Sequence, residues 1–487
     1  MADPVMLSTI VDHLPQGGEQ VGPDVEISGV THDSRLVEAG DLFVAIPGAL
    51  ADGHDFVEMA LSRGAAAAIV EHGETAASRV VVPDARAALA WAAAVAYGEP
   101  STRLPVIGVT GTNGKTTVTH LIEQMLVSAG RTSAIVGTVG ARIGEQEHSV
   151  ARTTPEASDL QRLLADMVDA GVDVAAIEVS SHALELHRVD AIQFRVAAFT
   201  NLTEDHLDFH GDMASYFATK ARLFTPDRTR HAVIWVDDPA GYGLAGSVEV
   251  PVTTVGLDKP ADVRAIDLVE TIDGSRFVVA TASGSFPVTL SLPGRFNVHN
   301  ALIAIGIALE LGLDSTAITR GIAAVRTIPG RFEKIRSNEA FAVIVDYAHT
   351  PDAIDAAVSS ALALTPRRVI AVFGAGGDRD REKRPAMGRA AGRADLAILT
   401  SDNPRSEDPL AIMAAVKTGI PEAASVIEEP DRRAAISRAL TEAGADDLVL
   451  ILGKGHETGQ EIDGVIHPFD DREVVIDELK ALREVAS

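Results

Sequence analysis

The 487 residues are too many for one hydrophobic core, and a composition of 46% hydrophobic but only 4% aromatic residues suits layered α/β domains. A formal net charge of −27 repels phosphate backbones and anionic lipid, which excludes nucleic acid and membrane surfaces as general partners. There is no cysteine, so disulfides, thiol nucleophiles and zinc–thiolate sites are excluded as well.

Residues 1–14 lack a basic segment followed by an apolar core, and the apolar stretch 87–97 is too short to span a bilayer. A cytoplasmic location is therefore expected. In chain order, β-like pieces at 25–30 and 41–46 mix with alanine-rich helical stretches, up to the breaker cluster Gly98-Glu99-Pro100-Ser101. A first domain over 1–101 is predicted. Next come an apolar run at 104–109, a glycine-rich turn and a helical stretch at 117–129. Further apolar runs at 174–179, 196–199 and 232–236 predict a mostly parallel sheet. From 237 to 292, short alternating strands with Gly and Asp turns predict an antiparallel annex, which completes a central domain over 102–331. In the third region, 332–487, runs at 342–346, 369–373, 396–400 and 448–452 each precede a polar loop. That alternation predicts a Rossmann-like unit whose ligands bind at the carboxyl ends of its strands.

Between strand and helix lies Gly108-Val109-Thr110-Gly111-Thr112-Asn113-Gly114-Lys115-Thr116-Thr117. Backbone amides released by glycine can close around phosphate oxygens, Lys115 can neutralise β/γ charge, and the Thr116 hydroxyl can ligate magnesium. Strict Walker spacing would place glycine at 109, where this chain has valine, so the loop is a variant. After the next strands come Glu178-Val179-Ser180-Ser181-His182 and Asn201 through Asp208, with Lys220 further on. Carboxylate and imidazole at adjacent strand ends beside a phosphate loop suit a magnesium site, although magnesium usually takes oxygen ligands. Taken alone, His206 reads more readily as a structural histidine and Lys220 as a solvated helix lysine.

The third region carries Gly374-Ala375-Gly376, whose dinucleotide fingerprint fails because Arg379 stands at the third glycine position. It also carries Asp402-Asn403-Pro404-Arg405 and Gly453-Lys454-Gly455-His456-Glu457. Arg379 and Arg405 can clamp a carboxylate, while Asp402 and Glu457 can hold an ammonium, which together suit an amino acid zwitterion.

The phosphate loop, Glu178, the segment from Asn201 to His206, Lys220, Asn297-Val298-His299-Asn300, Gly330-Arg331-Phe332-Glu333 and Asp346-Tyr347-Ala348-His349 resemble, in this order, the Mur ligases. Those enzymes build the peptide stem of bacterial cell-wall precursors. The resemblance implies ATP as cosubstrate, bound by residues 111–117 with Asn297, Arg331, Asp346 and His349. It implies catalysis by Lys115, Glu178, His206 and Lys220, and two Mg2+ ions held by Thr116, Glu178, His206 and a CO2-derived carbamate on Lys220. Thr31-His32-Asp33-Ser34-Arg35, together with Thr153, Thr154, Ser180 and Arg188, resembles the pocket for UDP-N-acetylmuramoyl-L-alanyl-D-glutamate, with Ser34 carried to the uridine end. Members with Asp-Asn-Pro-Arg add meso-diaminopimelate, whose second carboxylate needs an arginine; Arg379, Asp402, Asn403, Pro404, Arg405, Gly453 and Glu457 are the implied receptor. Two departures touch the dipeptide contacts: Arg152 where asparagine is common, and Leu186 where glutamine is common.

The implied partners are these small molecules, with no nucleic acid, no membrane insertion and a monomeric chain. A folylpolyglutamate-synthase-like ligase would share the central domain but not the uridine-pocket motifs. A regulatory P-loop protein would leave Lys220, His206 and the third-region receptor without a role.

Overall fold

The computed structural model describes residues 3–48, 51–73, 77–150, 152–365 and 367–486, folded around three principal sheets of α/β architecture. The first has five strands, in the order Glu19–Val21, Ser78–Val81, Ala67–Val70, Asp41–Val44, Gly29–Thr31. All its neighbours are parallel except the pair involving Glu19–Val21. The helix Ala85–Ala96 starts where the Asp84 carboxylate accepts from Ala87 N at 2.9 Å. Its alanines are all buried, because side chains this small let a helix lie close against a sheet. The breaker cluster does not run on as an extended linker: Glu99 turns through φ 49° into a short helix, Pro100–Arg103.

The second sheet has eleven strands. Its centre is parallel, with Val106–Thr110 between Val174–Glu178 and Phe194–Phe199, and Ala232–Trp235 beyond the latter. Val106–Thr110 and Val174–Glu178 are buried along their whole length, since helices cover both faces. Lys115–Ser128, Arg295–Glu310 and Ser315–Ala324 supply the core on one face, and Ala157–Asp169 packs on the other. The expected annex is narrower than the sequence suggests. Val252–Gly256 pairs parallel with both Ala232–Trp235 and Val263–Thr271, so it extends the parallel sheet. Only Val263–Thr271, Gly274–Thr281 and Gly284–Leu290 form an antiparallel meander, continuous with that sheet. At the opposite edge, the hairpin of Gly140–Ile143 and Gln146–His148 was not anticipated, because its strands are polar and short.

The third sheet runs Glu333–Ile335, Ala342–Asp346, Leu448–Leu452, Val369–Phe373, Leu396–Leu399, Val426–Glu428, parallel throughout except at the first pair. Leu448–Leu452 is buried at every position, each leucine contributing ~1.5–3 kcal/mol of apolar burial. Its central place brings the loops after Asp346, Phe373, Leu399 and Leu452 to one edge of the sheet. Among the described residues, no helix is long and apolar enough to cross a membrane.

Candidate active site

The strand Val106–Thr110 ends in a turn that only glycine can make at two places. Gly111 has φ 143°, and a Cβ there would lie 1.9 Å from Thr200 Oγ1; Gly114 has φ 88°, and its Cβ would lie 2.2 Å from Asn300 Oδ1. Asn201 closes the turn from the neighbouring strand end: its carbonyl accepts from Thr112 N and its Oδ1 from Asn113 N, both at 3.0 Å. The amino end of the helix Lys115–Ser128 then faces the loop, an arrangement suited to anions. Lys115 folds back, donating Nζ to Gly111 O (3.0 Å) and Thr112 O (2.8 Å). Burial lowers its pKa, and the Glu178 carboxylate opposes that shift. A phosphate would exchange those two carbonyl contacts for its own oxygens.

Glu178 closes the strand Val174–Glu178 and is buried, accepting from Thr138 N (2.9 Å) and Thr138 Oγ1 (3.0 Å). His206 sits at φ 55°, its Nε2 3.3 Å from Asp205 Oδ2. Burial pushes its pKa down to about 4, so the imidazole is neutral with a lone pair free to bind a metal. Lys220, on the helix Met213–Ala221, is buried, donates Nζ to Gly111 O at 2.9 Å and lies 4.4 Å from the centre of the Tyr216 ring. Burial first, then nearby Lys115, hold its pKa well below the ordinary lysine value.

Thr116, Glu178 and His206 line a cavity of about 420 Å3 with Lys115, Asn300, Arg331, Asp346 and His349. Its aromatic wall is His299 stacked on Trp235, ring centres 4.4 Å apart and planes at 26°. Arg331 donates Nη2 to Thr116 Oγ1 at 3.1 Å and lies over the Tyr347 ring at 4.7 Å. Asp346 accepts from Phe332 N (2.6 Å) and Ala348 N (3.0 Å), and burial raises its pKa to about 6. His349 Nδ1 lies 2.8 Å from Tyr347 O.

A second cavity, of about 670 Å3, shares Thr138, Thr153, Ser180, His206 and His349 with the first. Thr154 and Arg188 line it from the central sheet; Arg379, Asp402, Asn403, Arg405, Gly453 and Glu457 line it from the third. Thr154 Oγ1 donates to Glu178 O at 2.8 Å and accepts from Ser180 N at 3.1 Å. Arg188 Nη2 pairs with Glu156 Oε1 at 2.9 Å. Asn403 joins the two halves of its own receptor, giving Nδ2 to Glu457 Oε2 (2.8 Å) and accepting from Lys454 Nζ (3.2 Å). A phosphate cradle therefore adjoins a chamber lined by paired acidic and basic groups.

Residues 109–308 match the Mur ligase middle domain, residues 330–455 the Mur ligase glutamate ligase domain, and residues 26–97 the Mur ligase family catalytic domain. An enzyme of Syntrophomonas wolfei subsp. wolfei named UDP-N-acetylmuramoyl-L-alanyl-D-glutamate--2,6-diaminopimelate ligase is 44% identical over 471 residues, covering 95% of this chain and 96% of the relative. The chain belongs to the Mur ligase family. A Streptomyces coelicolor relative of the same name is 45% identical over 487 residues, covering 96% of each chain. A solved structure bearing that name superposes with a TM-score of 0.68 at 37% identity, over 94% of this chain and 96% of the other.

In this Mur ligase the two cavities gather most, but not all, of the residues singled out in the sequence. Asn297 does not face the nucleotide cavity: its Nδ2 donates to Pro293 O (2.7 Å) and its Oδ1 accepts from Asn300 Nδ2 (3.3 Å), so it steadies Asn300. Lys220 and Gly111 lie behind the loop rather than on the wall. Pro404 stays outside the second cavity. Ser34 is buried in the N-terminal unit, its hydroxyl 3.7 Å from Met59 Sδ, and lines neither cavity. Arg379 is exposed at the rim, whereas Arg405 is held by Gly377 O (2.7 Å) and Glu461 Oε2 (3.3 Å). The two arginines therefore do not form a preset pair.

Sequence reasoning missed the stack of His299 on Trp235, although Trp235, one of only two tryptophans, ends a parallel strand. It also missed Arg432. That side chain is wholly buried against Asp471 (2.7 Å), donates to Leu452 O (3.0 Å), and lies 3.9 Å from Asp402 Oδ2, which has no hydrogen-bond partner among the described residues. No motif marks it; the only signal is an arginine opening a helix otherwise packed on the sheet.

Proposed function

We propose that this Mur ligase adds meso-2,6-diaminopimelate to the D-glutamate of UDP-N-acetylmuramoyl-L-alanyl-D-glutamate, consuming ATP, in the cytoplasmic synthesis of peptidoglycan precursors. The observation that carries the reading is the junction of the phosphate cradle with the zwitterion chamber at Thr138, His206 and His349. High identity along nearly the whole chain to relatives of that name supports the same substrates. A substrate γ-carboxylate oxygen attacks the γ-phosphorus of ATP, ADP leaves, and an acyl phosphate forms. The amine then attacks the acyl carbon, phosphate is expelled and the amine loses its proton. Lys115 neutralises the transferring phosphoryl group, and the third-region residues Asp402, Asn403, Arg405 and Glu457 orient the amine.

The roles of the three units follow the same reading: 1–101 for the uridine nucleotide with Ser34, 102–331 for ATP, and 332–487 for the amino acid. The hydroxyl, carboxylate and imidazole of Thr116, Glu178 and His206 fit Mg2+, which would supply charge neutralisation for the phosphates. Lys220 is the residue proposed to carry the carbamate. Its buried amine is held toward the neutral form that can attack CO2, forming the nitrogen–carbon bond and releasing one proton. The same reading takes the chain as a monomer.

The test is product formation from the acceptor nucleotide, ATP and magnesium with meso-diaminopimelate, L-lysine or L-ornithine in parallel, read by mass spectrometry. Tripeptide with meso-diaminopimelate alone is expected. Product with lysine or ornithine instead would retain the ligase and discard the diaminopimelate receptor, and no product with any amine would discard both.

A further inference from the structure

Residues 459–468 form a two-stranded sheet outside the three principal ones, with Gly459–Ile462 antiparallel to Val465–Pro468. Asp463 (φ 49°) and Gly464 (φ 73°) make its turn, the pair of positive φ values that a two-residue Asp-Gly hairpin needs. Val465–Pro468 is exposed at every position. A hairpin alone, with its outer strand uncovered, is only marginally stable in water, so partners on its inner side must hold it. Those partners belong to the amino-acid receptor.

The inner strand is bonded to the loop that carries Asp402, Asn403 and Arg405. Gln460 Nε2 donates to Asp402 O at 2.6 Å, and Glu461 N donates to Asn403 Oδ1 at 3.0 Å. Arg405 is held on both sides: its N donates to Glu461 O (2.9 Å), and its carbonyl accepts from Asp463 N (2.7 Å). At φ 52° Arg405 is left-handed, a conformation that an arginine keeps only when its surroundings impose it. Glu461 Oε2, 3.3 Å from Arg405 Nε, then aims the guanidinium. Lys454 is wholly buried and gives its three ammonium protons to Asn403 Oδ1 (3.2 Å), Glu457 Oε2 (3.1 Å) and Gly459 O (2.5 Å). One lysine thus ties two receptor side chains to the start of the hairpin. Asn403 Oδ1 receives two donors, which fixes the way its amide points. Lys454, Gln460 and Glu461 themselves line neither cavity.

We infer that the hairpin at 459–468, joined to the receptor by Lys454 and Gln460, sets the Arg405 turn and the Asn403 amide before the amino acid arrives. Lys454, Gln460 and Glu461 act through Asn403, Glu457 and Arg405, so they are positioning residues for the incoming amine. This inference rests on the reading above that the third unit holds the amino acid. Its physical basis is preorganisation: a receptor loop already locked in its binding shape loses less freedom when the ligand docks. Affinity for the amine is then governed in part by a segment that the ligand does not touch.

The experiment is steady-state kinetics of the full chain with ATP, the acceptor nucleotide and whichever amino acid the native protein incorporates. Gln460→Ala should raise the KM for that amino acid ~5-fold, the scale of one hydrogen bond, with kcat and the other two KM values within about twofold of native. Lys454→Met releases both Asn403 and Glu457, and should raise the same KM ~10-fold or more. Gly464 has open space around it, so Gly464→Val strains only the left-handed turn. It should raise the amino-acid KM at least ~3-fold while the urea midpoint of the whole chain stays near native. If Lys454→Met does not fold, Gln460→Ala and Gly464→Val still decide. An unchanged amino-acid KM in those two variants, or an equal rise in all three KM values, would overturn the inference alone. No product from the native protein with any amino acid would overturn the ligase reading and this inference with it.

Discussion

At single residues, what could be read from sequence was the chemistry of groups that meet a ligand directly. Lys115, Glu178 and His206 sit beside a phosphate loop in sequence logic and in space. Residues that act through another side chain were illegible, because a relay such as Asn297 to Asn300 depends on an unmarked helix turn. The same is true of Arg432. Replacing it by Met leaves the Asp471 carboxylate buried and unpaired, which should cost ~3–5 kcal/mol in urea unfolding. Asp402→Asn should instead leave stability near native and raise the KM for the amino acid at least ~10-fold, without moving the KM for ATP. Titration gives a further expectation. Burial holds His206, His299 and His456 each near 4 in the folded state. Between pH 6.5 and 4 the unfolded chain takes up protons that these rings refuse, so their contribution to stability falls as pH drops through that window. Asp346, raised to about 6, works in the opposite sense: the folded state keeps a proton that the unfolded chain has lost above its ordinary pKa. His299→Gln should therefore lower the proton uptake on unfolding near pH 5 by about one, measured as the slope of stability against pH.

At the scale of elements, the parallel strands announced themselves as unbroken apolar runs, because both faces are covered. Val252–Gly256 did not, since two threonines and partial burial disguise it as an alternating edge strand. The loops were legible only where glycine is obligatory. Gly114→Ala meets both a left-handed backbone and the Asn300 side chain, so ATP binding should be lost in calorimetry. Gly130 has φ 73° but open space around it. Gly130→Ala should cost only about 1 kcal/mol in unfolding and leave ATP binding intact. An equal loss of binding in both variants would refute the assignment of Gly114 to the nucleotide cradle.

Across the whole molecule, punctuation marked where one sheet gives way to the next, but not how the sheets are tied together. The ties are mixed: His32 to Ser158 at 3.0 Å, Arg86 to Glu156 at 3.3 Å and Lys334 to Asp273 at 2.6 Å are polar, while Ala157 joins the core of the first unit and Ile272 and Phe296 pack against that of the third. Contacts of this kind permit rigid-body closure when ligands bridge the units. Small-angle scattering should show a smaller radius of gyration with a non-hydrolysable ATP analogue and acceptor than without them. Arg331→Ala should weaken that compaction, because Arg331 ties the Tyr347 ring of the third unit to Thr116 of the phosphate loop. The wall common to both cavities has a practical consequence for inhibition. Two weak fragments, one filling the space beside His299 and one the space beside Arg188, would meet across His206, which lines both cavities, and can be joined there by a tether. Once the first fragment docks, the tether holds the second at high effective concentration, so the linked compound gains affinity that neither fragment has alone. Length is then the variable to tune: a tether too short to span the gap loses the advantage entirely, and a longer one surrenders it gradually.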